Sequence, residues 1–285
     1  RTHILRPTWH FVAAEDLRWM YNLSYPRLKP VYRSYAKMLG ADETVLYRHI
    51  PLVEELLSGG RHLSKQEMSE SLTERGVLLD DNHLSLLLSF AELEGVIVNG
   101  EFDGSRQTFT LLEEWVPRTT NLSREESLGR LAHKYFSSHG PATLQDFAWW
   151  SGLSVTECRQ AMEMIRPEFT HEKINERECW MPDNLCTLPA DNNSALLLAP
   201  FDEFVVSYKD RSDMLEQTHY GKVITKNGIF SPTIMLNGKI IGSWKKSMKK
   251  NMPQITLTFF VNVPKKIIHL FQPEIERLEK FYARE

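Results

Sequence analysis

The middle of this sequence carries the same order of elements twice, and this repetition strongly limits the folds that the chain can adopt. Each copy reads as a helix, a second helix, a turn, a third helix and two strands, which is the order of a winged helix. In each copy one helix begins with a Ser-x-x-Glu capping box, at Ser64–Glu67 and at Ser154–Glu157. The repetition therefore predicts tandem winged-helix domains.

The bounds of both copies follow from helix caps, glycines and apolar periodicity. The first copy has predicted helices at about 43–58, 64–75 and 82–94 and predicted strands at 96–98 and 108–112. Asp80 or Asp81 is expected to cap the third of these helices. The second copy has predicted helices at about 124–138, 143–150 and 154–165 and predicted strands at 168–173 and 178–181.

The composition changes after Pro182. Residues 191–194 read as a linker, and Asn237-Gly238 is the signal for a tight hairpin. Strands are expected at 195–199, 233–236, 239–244 and 254–261, followed by a helix from Pro264 that is interrupted or restarted at Pro273. The predicted fold class is α+β, with tandem winged-helix domains and a C-terminal α/β module that contains an antiparallel sheet.

The opening residues predict two short strands, around Ile4/Leu5 and Trp9/Phe11, because Pro7 excludes a helix interior. A strand pair needs a surface to pack on, and removal of an initiator Met normally requires a small residue where Arg1 stands. We therefore expect part of a first domain to precede Arg1. The expected segments are 1–40 (remainder of a first winged helix and connecting helices), 41–118 and 119–190 (winged helices) and 191–285 (C-terminal module with a basic β-hairpin).

Cysteine spacing and hydropathy exclude several classes of protein. Cys158, Cys179 and Cys186 show neither Cys-x-x-Cys spacing nor a His pair at zinc-finger spacing. Neither a disulfide framework nor a structural zinc site is therefore indicated. The sequence also has no uninterrupted apolar run long enough for a transmembrane span. We expect a soluble, cytoplasmic protein that needs no metal or organic cofactor.

Charge is segregated along the chain. Between Gln217 and Pro273 there are nine lysines and no Asp or Glu, so this window nets +9 whereas the rest of the chain nets −12. Segregated positive charge is expected of a surface that meets phosphate, because each neutralised phosphate releases condensed counterions. The alternative is a solvated lysine-rich face.

Neither of the helices that would read DNA bases is basic. The helix at 82–94 has two Glu and no Lys or Arg, and the helix at 154–165 has one Arg against two Glu. Base-reading helices normally present Arg, Lys, Asn or Gln. These two helices are not expected to be conventional major-groove readers. Winged helices also serve as dimerisation or scaffolding modules, and this alternative stays open.

Three segments resemble a known family, and they occur in its order. They are RTHILRPTWH at 1–10, APFDEF with YKDR at 199–211, and NGIFSPT continuing to GSW at 227–244. All three are similar to the AlkZ-like family of tandem winged-helix DNA glycosylases, which excise alkylated bases and unhook DNA crosslinks. The resemblance covers essentially the whole chain. It implies a C-shaped scaffold of three winged helices, a basic channel for duplex DNA and a C-terminal β-hairpin that probes the helix.

The sequence departs from this family at the catalytic pair. In the family a Gln and a second Gln or Asp, separated by one hydrophobic residue, lie upstream of the opening strands. None of the glutamines here has Gln or Asp two residues later. The catalytic residues are therefore unknown: either they precede Arg1, or the protein binds DNA without cutting it. Such a pair would position a water and stabilise an oxocarbenium-like sugar.

Candidate DNA contacts come from the opening strands, the YKDR segment and the lysine window. Side chains near a tip at Asn227 could part base steps as a wedge. Phe230 and Trp244 could instead be core residues that do not touch DNA. The Thr and His side chains of the opening strands could instead hydrogen-bond only to the protein backbone. The candidates are Arg6, Thr8, His10, Lys209, Arg211, Lys226, Asn227, Phe230, Lys245, Lys246, Lys249 and Lys250.

Asp202 and Glu203 are adjacent carboxylates, but as neighbours in a strand they would face opposite sides and could not share a site. We expect one of them to pair with Lys209 or Arg211. The predicted function is a DNA-binding protein that, when full-length, acts as a repair glycosylase on alkylated or crosslinked double-stranded DNA. The alternative is a non-enzymatic winged-helix transcriptional regulator or scaffold.

Overall fold

The structure is a computed structural model that describes residues 1–119, 122–184, 194–250 and 252–283. It divides into two compact units. Unit 1 comprises Arg1–Tyr135 and Ser151–Pro167, and unit 2 comprises Phe136–Trp150 and Glu168–Glu285. Both units mix helices with antiparallel strand pairs, as the predicted α+β class requires.

The first of the two predicted copies has the expected order of elements. The elements up to residue 139 are β1 Thr2–His3, β2 Trp9–His10, α1 Ala14–Met38, α2 Glu43–Leu57, β3 Leu63–Ser64, α3 Lys65–Glu74, α4 Asp81–Leu93, β4 Ile97–Asn99, β5 Thr108–Leu111, α5 Leu112–Trp115 and α6 Arg124–His139. Strand β5 pairs with β4 on one edge and with β3 on the other. The predictions of α2, α3, α4 and the β4–β5 wing are confirmed.

Helix caps and an apolar core explain these bounds. The Ser64 side chain accepts a hydrogen bond from the Glu67 backbone N–H, which completes the predicted capping box. Asp80 accepts at 2.9 Å from the His83 backbone N–H, so Asp80 rather than Asp81 caps α4. Helix α4 is largely buried in the core that it shares with α1 and α2. It therefore has a structural role in unit 1.

The opening strands form the predicted pair, but the first strand lies at Thr2–His3 and not at the predicted Ile4/Leu5. Thr2 and His3 pair with Trp9 and His10, whereas Ile4 and Leu5 lie in the connecting turn. Both of those side chains are buried, because the turn directs them into the core of unit 1. The strand prediction at Ile4/Leu5 was therefore wrong, since burial in a turn and burial in a strand give the same apolar signal.

The remaining elements run from residue 144 to residue 282. They are α7 Leu144–Ser151, α8 Val155–Ile165, β6 Phe169–Ile174, β7 Arg177–Pro182, β8 Ala195–Leu198, α9 Glu203–Val206, α10 Tyr220–Val223, β9 Thr233–Leu236, β10 Lys239–Lys249, β11 Met252–Phe259, α11 Lys265–Ile268 and α12 Gln272–Tyr282. The second predicted copy is confirmed as α6, α7, α8 and the β6–β7 hairpin. These elements are shared between the two compact units, so the four-segment division of the chain stays a prediction.

The C-terminal part of unit 2 contains a sheet of order β11-β10-β9-β8, in which every neighbouring pair is antiparallel. Asn237 and Gly238 have positive φ angles of 49° and 76°, which a tight β9–β10 hairpin requires. A short turn at His269–Phe271 interrupts the terminal helix, and Pro273 lies in the first turn of α12, as predicted. Most of the predicted linker, residues 191–193, lies outside the described residues.

Candidate nucleic-acid interface

Strand β10 is longer than predicted, and this changes where the lysine cluster lies. The predicted strands end at residue 244 and resume at residue 254, which would put Lys245, Lys246, Lys249 and Lys250 in a loop, but β10 continues to Lys249 and stays paired with β11. Strand β9 pairs with β10 only from Lys239 to Ser243. Residues 245–250 and 252–256 therefore form a two-stranded ribbon beyond the four-stranded part of the sheet. We call this segment the basic ribbon.

The basic ribbon exposes all four of its lysines: Lys245, Lys246, Lys249 and Lys250. Neighbouring residues of a strand point to opposite faces, so the charges are distributed over both faces of the ribbon. Its base is fixed by Trp244, which is buried and donates a 2.8 Å hydrogen bond to the Leu198 carbonyl. Core packing was the stated alternative for Trp244, and the structure places it there.

Two methionines accompany the lysines at the end of the ribbon. Met248 and Met252 are each 62% exposed, although apolar side chains of this size usually lie in a core. The sequence reasoning missed them. Their signal was the position of apolar residues within a lysine-rich segment, where a solvated strand end would be expected to be polar. Together they give the ribbon a basic shaft and an apolar end.

A second exposed tip lies at residues 225–229 and corrects the prediction for Phe230. Ile224 and Phe230 form an isolated β-bridge, which closes the tip. Lys226 and Asn227 are exposed, as a contact surface requires. Phe230, however, is 8% exposed and packs in the core of unit 2, whereas the neighbouring Ile229 is 52% exposed. The wedge role predicted for Phe230 is therefore excluded, and Ile229 occupies the corresponding exposed position.

Arg211 is also a structural residue, in contrast to the prediction. It is 4% exposed, and its guanidinium donates to the carbonyl oxygens of Val205 at 2.6 Å and Val206 at 3.3 Å. It donates further to the Lys209 carbonyl at 3.2 Å and to the Tyr220 hydroxyl at 3.1 Å. Lys209 itself is exposed and stays a candidate contact. The YKDR segment thus contains one buried arginine and one surface lysine.

Asp202 and Glu203 do not lie in a strand and do not pair with Lys209 or Arg211. Asp202 is the N-cap of α9 and accepts at 3.0 Å from the Phe204 backbone N–H. Glu203 begins α9 and accepts a hydrogen bond from the Trp150 indole N–H. Both predictions were wrong because the residues start a helix: the Asp202 carboxylate caps the backbone, and the Glu203 carboxylate lies beside Trp150 and His139 instead of Lys209 or Arg211.

In unit 1 the opening hairpin brings three candidate residues together. Arg6 and Thr8 lie in the turn between β1 and β2, and His10 lies in β2. The Thr8 hydroxyl oxygen and His10 Nε2 are 3.0 Å apart. No comparison tests their contact with DNA, which stays a prediction.

A buried polar network holds the opening hairpin on the wing of the first copy. The carboxylate of Glu92, which is nearly inaccessible to solvent, bonds to the His3 ring and accepts at 3.0 Å from the Asn99 side chain. Asn99 in turn accepts from Arg1 and from Gln107, each at 2.8 Å. Glu92, whose negative charge argued against base reading by α4, therefore holds β1 in place through these hydrogen bonds.

Glu94, the residue that caps the C-terminal end of α4, also has internal partners. It accepts hydrogen bonds from Tyr47 at 2.5 Å, from Tyr25 at 2.9 Å and from Lys29 at 3.2 Å. Burial alone would raise the pKa of Glu94, but the three donors outweigh it and lower that pKa. Helix α4 therefore stays tied to α1 and α2 through an ionised carboxylate.

Glu157 of the second copy has internal partners in the same way. It completes the Ser154 capping box and pairs with Arg124 at 2.5 Å and Arg27 at 3.4 Å. Burial opposes ionisation, but the hydrogen bonds from Ser154 and the ion pair with Arg124 prevail and lower the pKa of Glu157 to about 2.

We expect unit 1 to lose stability as the pH falls from about 4.5 towards 2. The pKa of Glu157 is lower in the folded than in the unfolded state, so its stabilisation is present above the unfolded pKa and is lost on acidification. Glu157→Gln should cost about 2 kcal/mol at neutral pH, after allowance for solvent at the partly exposed pair. Urea titrations across this pH range would measure it. The control is Glu163→Gln on the same helix, whose exposed pair with Arg166 should change stability by less than about 0.5 kcal/mol.

The two described cysteines, Cys158 and Cys179, are free and buried. In residues 1–119, 122–184, 194–250 and 252–283 there is no group of three or more His, Cys, Asp or Glu side chains placed to hold a metal ion. Burial raises the pKa of Cys158 to about 11, which suits an inert thiol. Cys186 lies outside the described residues. Among the described helices, none has the length and apolarity needed to cross a membrane.

Comparison with known proteins agrees with this architecture. The sequence matches the family DNA glycosylase AlkZ-like over residues 1–281, and the chain therefore belongs to the AlkZ-like DNA glycosylase family. The solved structure of Streptomyces sahachiroi DNA glycosylase AlkZ superimposes with a TM-score of 0.73 at 19% identity, covering 98% of this chain and 78% of that one. The shared fold is the tandem winged-helix fold.

A curated relative is similar over part of the sequence. It is the interstrand DNA cross-link repair glycosylase of Streptomyces sahachiroi, which is 24% identical over 162 residues. The match spans 53% of this chain and 43% of the relative, so less than half of that protein's length is covered. The expectation that part of the first domain precedes Arg1 stays a prediction.

Proposed function

We propose that the protein binds double-stranded DNA and acts in repair as a glycosylase that releases alkylated bases or unhooks crosslinks. The observation that carries the DNA-binding part is the basic ribbon, with four exposed lysines on a paired strand end. A two-stranded β-ribbon is one of the two elements that fit a DNA groove. The glycosylase part is supported by membership of the family.

The electrostatic argument separates the basic ribbon from the winged helices. Each lysine that neutralises a phosphate releases counterions, so ribbon binding would be strong at low salt and weak at high salt. Glu92 of α4 and Glu94 at its C-terminal cap lie in polar networks of unit 1, and α4 has no Lys or Arg to offer a base edge. We infer that the winged helices serve as scaffold and that phosphate contact falls mainly to the ribbon.

The two exposed methionines suit a ribbon that enters a groove. Apolar side chains that enter between base steps partly unstack them, and the cost is offset by the wider contact that a bent duplex makes. Met248 and Met252 are the apolar side chains available for this at the ribbon end. A phosphate-binding surface alone would not need them.

The substrate class is proposed from the curated relative, which is named for interstrand crosslink repair. Interstrand crosslinks and bulky alkyl adducts distort a duplex, so a ribbon that probes base steps would meet them more easily than an undamaged helix. No residue of this chain is assigned to bond cleavage, because none of its glutamines belongs to the Gln-x-Gln or Gln-x-Asp pair of the family.

The proposal is tested with one set of duplexes that are unmodified, N7-alkylated or crosslinked. Binding is followed by fluorescence anisotropy, and base release by amine-induced strand scission at the resulting abasic sites without heating, measured against the same duplex incubated without protein. We expect binding of all three and release only from the modified duplexes. Binding without release would favour the non-enzymatic regulator or scaffold. Absence of binding at low salt would overturn the DNA-binding function itself.

A further inference from the structure

A cavity of about 340 Å³ opens in unit 1 beside the opening hairpin. Trp9 of β2 forms one wall, Lys65 and Gln66 of α3 a second, and Arg106 with Gln107 a third. None of its lining residues is acidic. Its volume is at the lower end of small-ligand sites, which suits a single flat group and is too small for a duplex.

A larger cavity in unit 2 has the opposite charge balance. Its volume is about 600 Å³, and Arg177 and Lys209 line it together with three carboxylates, those of Asp146, Glu178 and Asp210. Arg177 is already paired with Asp210 at 3.0 Å. A phosphate entering that cavity would meet like charge. Of the two cavities, only the one beside Trp9 suits an anionic ligand.

The indole of Trp9 is held in place yet accessible. Its side chain is 47% exposed, while the Arg1 guanidinium lies 4.5 Å and the His3 ring 5.1 Å from the ring centre. Both neighbours are fixed by the network around Glu92. A second exposed ring, Phe102, lies 5.9 Å from the same guanidinium. An immobilised aromatic surface of this kind loses little entropy when a flat ligand stacks on it.

The polar groups of the cavity complement a nucleotide. The Gln66 carboxamide both donates and accepts hydrogen bonds, as a base edge does, and its present partner is the exposed Glu70 at 3.0 Å. The Gln107 carboxamide is already bonded to Asn99 and Arg1 and shapes the wall of the cavity. Lys65 is paired at 2.6 Å with the exposed Asp81, and Arg106 is paired with the exposed Asp103. Surface ion pairs are weak, so a phosphate could replace these carboxylates at little cost.

We propose that this cavity binds one unpaired nucleotide of DNA, with the base stacked on Trp9 and the phosphate beside Lys65 and Arg106. The inference rests on the proposed DNA-binding function and adds a second contact, which selects distorted DNA. A duplex in which one base has left the stack presents that base to the cavity, whereas a fully paired duplex presents none.

The test compares two duplexes of the same sequence, one fully paired and one with a single-nucleotide bulge that carries 2-aminopurine. We expect the protein to bind the bulged duplex about tenfold more tightly, within the range that base–aromatic stacking supplies. Stacking on Trp9 should also quench the 2-aminopurine fluorescence. Trp9→Ala should lose the preference and the quenching, and Trp9→Phe, which keeps a ring, should retain part of both.

The controls separate this inference from the proposed function. Trp115→Ala removes an exposed tryptophan of the same unit that lies outside the cavity lining, and it should keep the preference. Equal affinity of the wild type for both duplexes, or quenching that survives in Trp9→Ala, overturns the inference even if paired DNA is bound. If the wild type did not bind the fully paired duplex, the proposed function would be overturned. Quenching of the 2-aminopurine in the bulged duplex would still report on the cavity.

Discussion

Replacing Lys245, Lys246, Lys249 and Lys250 by glutamate is expected to lower the affinity for double-stranded DNA by about 100-fold or more at low salt. The four lysines are exposed on one ribbon, so a groove-bound ribbon would bring them all close to phosphates. Each phosphate contact contributes about 0.9 to the slope of log affinity against log salt. With four contacts, the quadruple Lys→Gln variant should reduce that slope by about 3 to 4.

Anisotropy titrations at several salt concentrations measure both the affinity and the slope. The matched control uses pairs of substitutions from the same lysine window. Lys265→Glu with Lys266→Glu, at the start of α11, should weaken binding less than Lys245→Glu with Lys246→Glu, because only the second pair lies on the ribbon. Circular dichroism excludes unfolding as a cause, since Lys246 also lies over the Tyr282 ring. If the quadruple variant bound DNA as tightly as the wild type, the basic ribbon would not be part of the DNA-binding surface of the protein.

The winged helices could be predicted from sequence because their signals are local. Ser64 and Ser154 each cap a helix through a residue three positions later, and the pattern is readable without knowing the rest of the fold. The end of β10 could not be predicted in this way. Lysines are poor strand formers, and the strand continues past Trp244 because residues 252–256 of β11 supply its hydrogen-bond partners. Pairing between two strands depends on the tertiary structure, so the local sequence of β10 does not show where the strand ends.

The misassigned site residues have a related cause. Arg211 and Phe230 belong to segments that match the family, and a match does not show which side chains face solvent. Charged side chains are rarely buried, so exposure was the natural expectation for Arg211. Its burial depends on carbonyl oxygens at the C-terminal end of α9, which the sequence of the YKDR segment does not reveal.

Replacing Arg211 by methionine is expected to destabilise unit 2 by about 4 kcal/mol, because buried carbonyl oxygens would lose a charged donor. The Val205, Val206 and Lys209 carbonyl oxygens all accept from its guanidinium. Arg211→Lys should recover little of the loss, since an ammonium group cannot reproduce the planar fork of donors. Urea unfolding followed by tryptophan fluorescence measures the change, because Trp149 lies 5.3 Å from the guanidinium carbon.

Lys209 provides the matched comparison, because it lies two residues away and is exposed. Lys209→Met should change stability by less than about 0.5 kcal/mol, as is usual for surface positions. If Lys209 contacts phosphate, the same variant should lower the salt slope of DNA binding by about 1. The two variants therefore separate a structural from a binding role within one motif. A stable Arg211→Met protein with weakened DNA binding would contradict the structural role and restore Arg211 to the DNA surface.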